Sequence, residues 1–287
     1  MLGLIPLTRR ESTSEGCESF SQPWHLLKRI RRGITMPLFR IVDTGLFGLT
    51  PLRKHILICG FPRSGTTMLQ LMIENGIPDA KRFGRETGGW RAATFCWRNH
   101  EKAITKVPHD VFRLAPLRQF YAKRGVELKI ILMLRDPRDV LTSRRKTGGP
   151  SGYVVSSERW RRYFEAFKQH QSDRDVMVMR YEDLVADVEN QQKRIEDFTG
   201  ETMAVPFSQF CQVDRPDFDT STLNGLRPIE QTLVARWAAL DHHQRIEDVL
   251  RELPELPQAL IDLGYESDTF WTEPYANSVT SVAQQVG

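Results

Sequence analysis

The chain has 287 residues, of which 40% are apolar and 26% charged, as in an ordinary folded globular protein. This composition excludes a disordered chain, a collagen-like repeat and a small disulfide scaffold. The net charge is +4, but residues 1–54 alone hold nine Lys and Arg against four Asp and Glu. A nucleic-acid binder is disfavoured, because it would spread its positive charge over the folded domain.

The sequence carries no signal for a membrane span or a secretory leader. No stretch of 18 apolar residues occurs, which is the length that a spanning helix needs. The apolar residues 1–7 precede the basic pair at 9–10, whereas a signal peptide has the opposite order. The four cysteines form no CxxC pair and no metal-ligand spacing. We therefore expect a cytoplasmic protein with no integral membrane segment and no metal site.

Composition divides the chain into three parts. Residues 1–54 are predicted to form a basic N-terminal extension that is partly disordered, and residues 24–39 within it have a basic amphipathic character. That segment is interpreted first as a strap on the main domain, with membrane or partner contact as the alternative. Residues 55–271 are predicted to form the main domain, and residues 272–287 a flexible tail.

The main domain alternates strand-like and helix-like segments. Apolar runs at 56–60, 129–134 and 176–179 predict strands buried on both faces. A first helix is predicted at 68–75 and is ended by Gly76, and a second follows the polar turn at 135–138. A third, at 157–170, carries an aromatic stripe that faces the core. A fourth follows the last strand and ends near Gly200. Two more helices are predicted at 229–240 and 241–253. This alternation predicts an α/β fold with three layers, a mostly parallel central sheet and a helical C-terminal part.

The most specific local signal is GFPRSGTT at 60–67, which follows the first strand and precedes a helix. Its GxxxxG spacing is that of a P-loop, in which backbone N–H groups surround phosphate oxygens at a helix N-terminus. Thr66 occupies the position where a nucleoside-triphosphate P-loop has lysine. Arg63 is the nearest cation. The loop therefore favours a single 5′-phosphate that carries another charged group over a triphosphate.

A second anion site is predicted directly after the strand 129–134. Arg135 stands at the end of that strand, and Ser143 follows eight residues later. Ligands of open α/β sheets gather at the carboxyl ends of the strands. We expect the guanidinium of Arg135 and the hydroxyl of Ser143 to bind a second phosphate.

These motifs carry a family resemblance. GFPRSGTT (60–67), LRDPRDVLTS (134–143) and RYEDLV (180–185) together resemble the sulfotransferases that use 3′-phosphoadenylyl sulfate (PAPS). The resemblance spans about residues 55–270 and implies a P-loop fold in which the first motif holds the 5′-phosphosulfate and the second the 3′-phosphate. It implies PAPS-binding roles for these residues: Arg63, Ser64, Gly65, Thr66, Thr67, Arg135, Ser143, Tyr181 and Arg227.

Sulfuryl transfer needs charge balance on the leaving group and a base for the acceptor hydroxyl. Arg63 suits the charge balance, and Lys106 resembles the lysine that these enzymes place near the transferred group. Glu86, in GRET at 84–87, resembles the catalytic glutamate in the GEET segment of the protein-tyrosine sulfotransferases. His109 is the alternative base, although it follows Lys106 by three residues rather than two. Glu74 is a third candidate, by analogy with the heparan-sulfate enzymes.

The sequence is thus interpreted as a PAPS-dependent sulfotransferase that acts without a metal. Its predicted partner is a hydroxyl acceptor on a sugar, phenol, peptide or lipid, and no nucleic acid is expected. The residues fix neither the acceptor nor the oligomeric state. Two alternatives stay open: a P-loop NTPase or kinase-like protein, and a noncatalytic nucleotide-binding scaffold that uses the basic extension for contacts.

Overall fold

The structure is a computed structural model that describes residues 45, 48–94, 100–144, 152–219, 223, 228–229 and 234–275. The predicted N-terminal extension up to residue 44 and the tail from residue 276 lie outside these ranges. Within the described part of the chain, no helix combines the length and the apolarity needed to cross a bilayer.

A four-stranded, wholly parallel sheet forms the centre of the domain. Its strands are β1 (Lys54–Gly60), β2 (Lys102–Lys106), β3 (Glu127–Leu134) and β4 (Val176–Arg180), arranged in the order β2-β1-β3-β4. Ile58 of β1 lies opposite Lys106 on one side and Ile131 on the other. The predicted parallel sheet is confirmed.

Helices connect and cover the strands. The α-helices are α1 (Thr66–Gly76), α2 (Gly89–Ala93), α3 (Leu114–Ala122), α4 (Pro137–Leu141), α5 (Ser157–His170), α6 (Tyr181–Ala186), α7 (Val188–Thr199), α8 (His243–Glu252) and α9 (Leu256–Asp262). Short 3₁₀ segments span Pro108–Arg113, Phe207–Gln212, Arg236–Ala238, Leu240–His242 and Phe270–Thr272.

The central strand β1 is buried on both faces, and a core cluster lies on each side of the sheet, so that the domain has three layers. Leu57 and Cys59 of β1 belong to one core cluster, which includes Trp160 of α5. Ile56 and Ile58 point the other way, into a second cluster that includes α1. Because successive strand residues face opposite sides, the continuous apolar run in β1 supplies both cores. The predicted three-layer α/β fold is confirmed.

The end of α1 differs from the prediction. Gly76 was expected just beyond the helix, but it is the last helical residue, and Ile77 caps the helix. The glycine is needed there for space, because a Cβ at this position would overlap Met203. Strand β2 was not predicted, since its short sequence KAITK mixes charged and apolar residues.

The predicted helix at 229–240 is wrong where the chain is described. Residues 236–238 and 240–242 form separate 3₁₀ turns on either side of Ala239, which is extended, and α8 begins only at His243. The predicted helix that ends near Gly200 is two helices, because Asp187 leaves the helical region between α6 and α7. The predicted end near Gly200 is confirmed, and this glycine caps α7 in a left-handed conformation.

Candidate active site

The carboxyl ends of all four strands contribute to one edge of the sheet. β1 leads into the loop at 61–65, β2 ends at Lys106, β3 leads into Arg135, and β4 leads into Tyr181 at the start of α6. Parallel strands present these ends on the same side, which is where α/β proteins bind ligands. The unpredicted strand β2 therefore brings Lys106 to the same edge as the P-loop.

The loop between β1 and α1 is a compact turn with two left-handed residues. Arg63 has φ 65° and Gly65 has φ 82°, and a left-handed non-glycine residue costs roughly 1–2 kcal/mol. A Cβ on Gly65 would stand 2.6 Å from Cδ2 of Tyr181, so only glycine allows this ring to pack on the loop. α1 begins at Thr66 with neither a side-chain cap nor an acid in its first turn. The first N–H groups of a helix point away from its hydrogen-bond ladder, an arrangement that suits an anion.

Two hydroxyls of the loop have different environments. The Ser64 side chain is fully buried, and its Oγ donates to the carbonyl oxygen of Phe61 at 2.6 Å. It therefore holds the turn in shape in addition to any role toward a ligand. Thr67 lies beside Lys106, whose Nζ donates to the Thr67 Oγ1 at 3.0 Å.

The P-loop and the segment after β3 are directly joined. Arg63 Nε donates to Ser143 Oγ at 2.9 Å, and Arg135 Nη1 donates to the carbonyl oxygen of Arg63 at 3.2 Å. The Arg135 guanidinium also lies 4.5 Å from the centre of the Tyr181 ring. Four residues that the sequence assigned to one ligand are thus neighbours.

Two guanidinium groups share this corner. Partial burial, and secondly the positive charge of Arg135, lower the pKa of Arg63 from its ordinary value. Because two cations are held close together here, the corner has a positive potential that an anionic ligand would relieve.

Buried polar groups hold the second loop in position. Asp136 caps α4 by accepting from the backbone N–H of Arg138 at 2.8 Å. The Asp136 N–H donates to Glu182 at 2.9 Å, and the Tyr265 hydroxyl donates to the other oxygen of that carboxylate at 2.9 Å. Burial raises the pKa of Glu182. Glu182, the first of the two acids in the YEDL motif, therefore links the segment after β4 to the loop after β3.

Asp139 connects Arg135 to the C-terminal part of the chain. Its side chain is 1% exposed and accepts from Arg135 Nη2 at 3.1 Å. The same carboxylate accepts from the backbone N–H groups of Ala235 at 3.1 Å and Trp237 at 2.9 Å. One buried carboxylate thus orients the strand-end arginine and anchors a distant segment.

Lys106 and Glu86 form an ion pair next to the start of α1. The Lys106 side chain is 1% exposed, and its Nζ lies 2.6 Å from Oε1 of Glu86, whose side chain is 58% exposed. Burial lowers the pKa of Lys106, while the charge of Glu86 acts in the opposite direction. The Thr87 N–H donates to the Lys106 carbonyl oxygen at 3.1 Å, which fixes the GRET segment against β2.

Two other predicted site residues are not part of these contacts. The exposed His109 packs its ring against Phe112, with ring centres 4.9 Å apart. Partial burial, and secondly the charge of Arg113, lower the pKa of His109. Arg227 lies outside the described residues.

Glu74, the third base candidate, has a structural role. Its side chain is fully buried, and it accepts from Arg215 Nη2 at 2.9 Å and from Gln70 Nε2 at 2.8 Å. This ion pair packs the segment around Arg215 onto α1.

Asp139 and Glu182 were missed as site-supporting residues. Each lies in a motif that was identified from the sequence, but its partners are distant. Asp139 bonds to Ala235 and Trp237, about 100 residues further along the chain. Glu182 bonds to Asp136, which lies 46 residues earlier. No local pattern signals such pairs. Among the described residues, no three His, Cys, Asp or Glu side chains form a group suited to a metal ion.

Comparison with known proteins gives a family match. Residues 53–212 match the model of the sulfotransferase domain, which is more than half of the chain. No curated protein matches the chain.

Two solved structures give the scale of the structural similarity. The sulfotransferase domain of the Synechococcus PCC 7002 olefin synthase shares 19% identity, with a TM-score of 0.49 over 69% of this chain and 94% of that one. A mouse sulfotransferase complexed with PAP shares 17% identity, with a TM-score of 0.43 over 74% of this chain and 89% of that one.

Proposed function

The chain belongs to the sulfotransferase family, and we propose that it transfers a sulfuryl group from PAPS to a hydroxyl acceptor. The observation that carries this proposal is the Lys106–Glu86 pair at 2.6 Å, next to Thr67 at the start of α1. Thr67 follows the P-loop residue Arg63, which is joined to Arg135 and Ser143 in a corner that suits phosphate groups. The Glu86 side chain is 58% exposed.

In this proposal the nucleotide is held at two points. The N–H groups at the start of α1, together with Arg63 and the hydroxyls of Thr66 and Thr67, bind the 5′-phosphosulfate. Arg135 and Ser143 bind the 3′-phosphate, and Tyr181 lies against the nucleotide. Arg227 is a further proposed ligand of the 3′-phosphate, from the family resemblance alone.

The proposed reaction requires little covalent chemistry from the protein itself. PAPS supplies the sulfuryl group, and a hydroxyl attacks the sulfur in line with the oxygen that leaves. Lys106 stabilises negative charge on that oxygen, because a buried ammonium acts strongly where water is excluded. Glu86 takes the proton of the acceptor hydroxyl as a general base. The two groups lie side by side, so that each can serve one end of the same transfer.

Glu86 is proposed as the base in preference to His109. The Glu86 carboxylate is bonded to Lys106, whereas His109 packs on Phe112 and has no described contact with the pair. The cytoplasmic location expected from the cysteines stays a prediction.

The test is transfer of label from radioactive PAPS to pools of phenols, oligosaccharides and lipid alcohols, with a parallel incubation in ATP and magnesium. The proposal expects label from PAPS in at least one pool and none from ATP. Transfer from ATP alone would instead support the kinase-like alternative. The nucleotide that remains after PAPS loses its sulfuryl group is 3′-phosphoadenosine 5′-phosphate (PAP). Tight binding of PAP with no transfer to any pool would support the noncatalytic scaffold.

A further inference from the structure

The segment that carries the proposed base is held from outside. Glu86 is exposed and belongs to neither a helix nor a strand. Backbone hydrogen bonds fix its segment on both sides: the Asp219 N–H donates to the Gly84 carbonyl oxygen at 2.6 Å, and the Thr87 N–H donates to that of Lys106 at 3.1 Å. The position of Glu86 therefore depends on partners that are distant in sequence.

Gly84 packs against the turn at 215–219 more closely than a residue with a side chain could. Its φ is 64°, and a Cβ at this position would stand 2.1 Å from the carbonyl oxygen of Asp217. Gly125 offers a contrast, because its φ is 61° but a Cβ there would meet no described atom within 4 Å. Gly84 is thus required for the close approach as well as for its left-handed backbone.

Arg215 anchors this turn to α1. Its guanidinium donates to Glu74 Oε2 at 2.9 Å and to Asn75 Oδ1 at 2.8 Å. It also binds both carboxylate oxygens of Asp217, at 2.8 and 2.9 Å. The Arg215 side chain is 4% exposed, and a two-pronged arginine–carboxylate pair fixes geometry as well as charge. The turn is therefore held rigidly against the helix that starts at the P-loop.

The charge of Glu86 reports its distance from Lys106. Burial lowers the pKa of Lys106, while the charge of Glu86, followed by those of Asp219 and Glu74, acts in the opposite direction. The effect of Glu86 comes from direct contact, with Oε1 2.6 Å from Nζ. Because such an effect weakens with distance, its size measures how closely the two groups are held together.

We propose that the contact between Gly84 and the turn at 215–219 holds Glu86 beside Lys106. The turn fixes the backbone of Gly84, and Glu86 follows two residues later. Gly84 and Arg215 are thus positioning residues that act through Glu86. This inference rests on the proposed roles of Glu86 and Lys106, and it adds how their geometry is maintained.

The test measures the coupling between Glu86 and Lys106. In the full chain with lysine isotopically labelled at Cε, NMR titration gives the pKa of Lys106, whose signal is assigned by its loss in Lys106→Arg. Glu86→Gln should lower this pKa, because it removes the adjacent negative charge. In the Gly84→Ala background the same substitution should leave the pKa nearly unchanged, because the carboxylate no longer lies beside the ammonium.

Turnover gives a second readout. Gly84→Ala should lower kcat by about tenfold or more and leave the affinity for PAP unchanged, since a misplacement of about 1 Å can cost roughly 10²-fold. The matched control is Gly125→Ala, which has the same left-handed backbone without the close contact. This control should keep both the coupling and kcat.

A second pair of variants approaches the contact from the turn. Asp219→Pro removes the N–H that donates to Gly84, so that it should reduce the coupling and kcat as Gly84→Ala does. Asp219→Asn keeps this N–H and removes only the charge of the side chain, so the coupling should persist. This pair decides the question if Gly84→Ala does not fold.

The outcomes separate the two proposals. If the coupling is lost in Gly84→Ala and in Asp219→Pro but the wild type sulfates no acceptor, the positioning role holds and the proposed reaction fails. If acceptors are sulfated but the coupling survives in these variants, the positioning role is overturned while the reaction stands. A loss of coupling in Gly125→Ala as well, or a wild-type pKa that Glu86→Gln does not change, also overturns it.

Discussion

Lys106 shows how a single buried charge depends on its surroundings. Its ammonium is nearly inaccessible to solvent and donates hydrogen bonds to Glu86 and to Thr67. Desolvation alone would make such a group costly, and the adjacent carboxylate offsets part of that cost. The family resemblance pointed to both Lys106 and Glu86 from the sequence. Their contact was not predictable, because it depends on a bridge between Thr87 and the unrecognised strand β2.

The lowered pKa of Lys106 gives a prediction for the pH dependence of turnover. If the reaction needs the ammonium, kcat should fall as pH rises through a pKa below the ordinary lysine value, because the neutral amine dominates above it. Lys106→Arg should move this alkaline fall to higher pH, and Lys106→Ala should lower kcat by about 10²–10³-fold. The measurement is kcat against pH for the three proteins; identical alkaline falls in the wild type and the arginine variant would refute the assignment.

A second residue-level prediction separates the two candidate bases. Glu86→Gln keeps the shape of the side chain but cannot accept a proton, so kcat should fall by about 10²–10⁴-fold. His109→Ala should change kcat by less than about threefold, since general-base losses are far larger than this. Steady-state assays with one acceptor measure both. Retained turnover in Glu86→Gln, together with its loss in His109→Ala, would reverse the choice of base.

At the scale of elements, the sequence predicted best where a local pattern was strong. The P-loop, β3, β4 and α5 follow from apolar runs and from the aromatic stripe, and α5 has the predicted bounds. Prediction failed at Gly76, which packs closely against Met203, and at 229–240, where the backbone is anchored by Asp139 rather than by its own helical periodicity. Both failures come from contacts distant in sequence.

Asp139 provides the prediction at this scale. Its carboxylate bonds Arg135 and two backbone N–H groups of the segment 235–237, and an amide cannot accept from all three donors in the same way. Asp139→Asn should therefore weaken PAP binding by about tenfold, a loss typical of one charged hydrogen bond. Calorimetric titration with PAP measures this effect.

The control is Asp262→Asn, which changes an exposed acid on α9 that bonds only to Gln258 in the described structure. Its affinity for PAP should equal that of the wild type. An Asp139→Asn protein with wild-type affinity would show that Asp139 does not orient Arg135.

Over the whole molecule, buried ion pairs join segments that are far apart in the chain. Arg215 bonds to Glu74 and to Asn75 of α1, each about 140 residues away in sequence. The carboxylate of Glu74 is inaccessible to solvent. Its negative charge is therefore stabilised by the Arg215 guanidinium in place of water. The pair thus packs residues 213–219 onto the helix whose N-terminus forms the P-loop.

Removing one partner should be more harmful than removing both. Arg215→Met leaves Glu74 buried without its cation, and the free energy of unfolding should fall by about 3–5 kcal/mol. The double variant Glu74→Gln/Arg215→Met should lose clearly less, because no unpaired charge remains. Urea unfolding of both proteins measures the difference, and a double variant as unstable as the single one would contradict this role of the pair.

We propose that the P-loop and the Arg135–Ser143 segment form one nucleotide site, in which the second segment binds the 3′-phosphate. The most direct measurement is calorimetric binding of PAP and of adenosine 5′-phosphate to the wild type and to Arg135→Ala. Because only PAP carries the 3′-phosphate, the substitution should weaken PAP binding by about ten- to a hundredfold and leave adenosine 5′-phosphate binding unchanged. Equal losses for both nucleotides, or unchanged affinity for PAP, would contradict the claim.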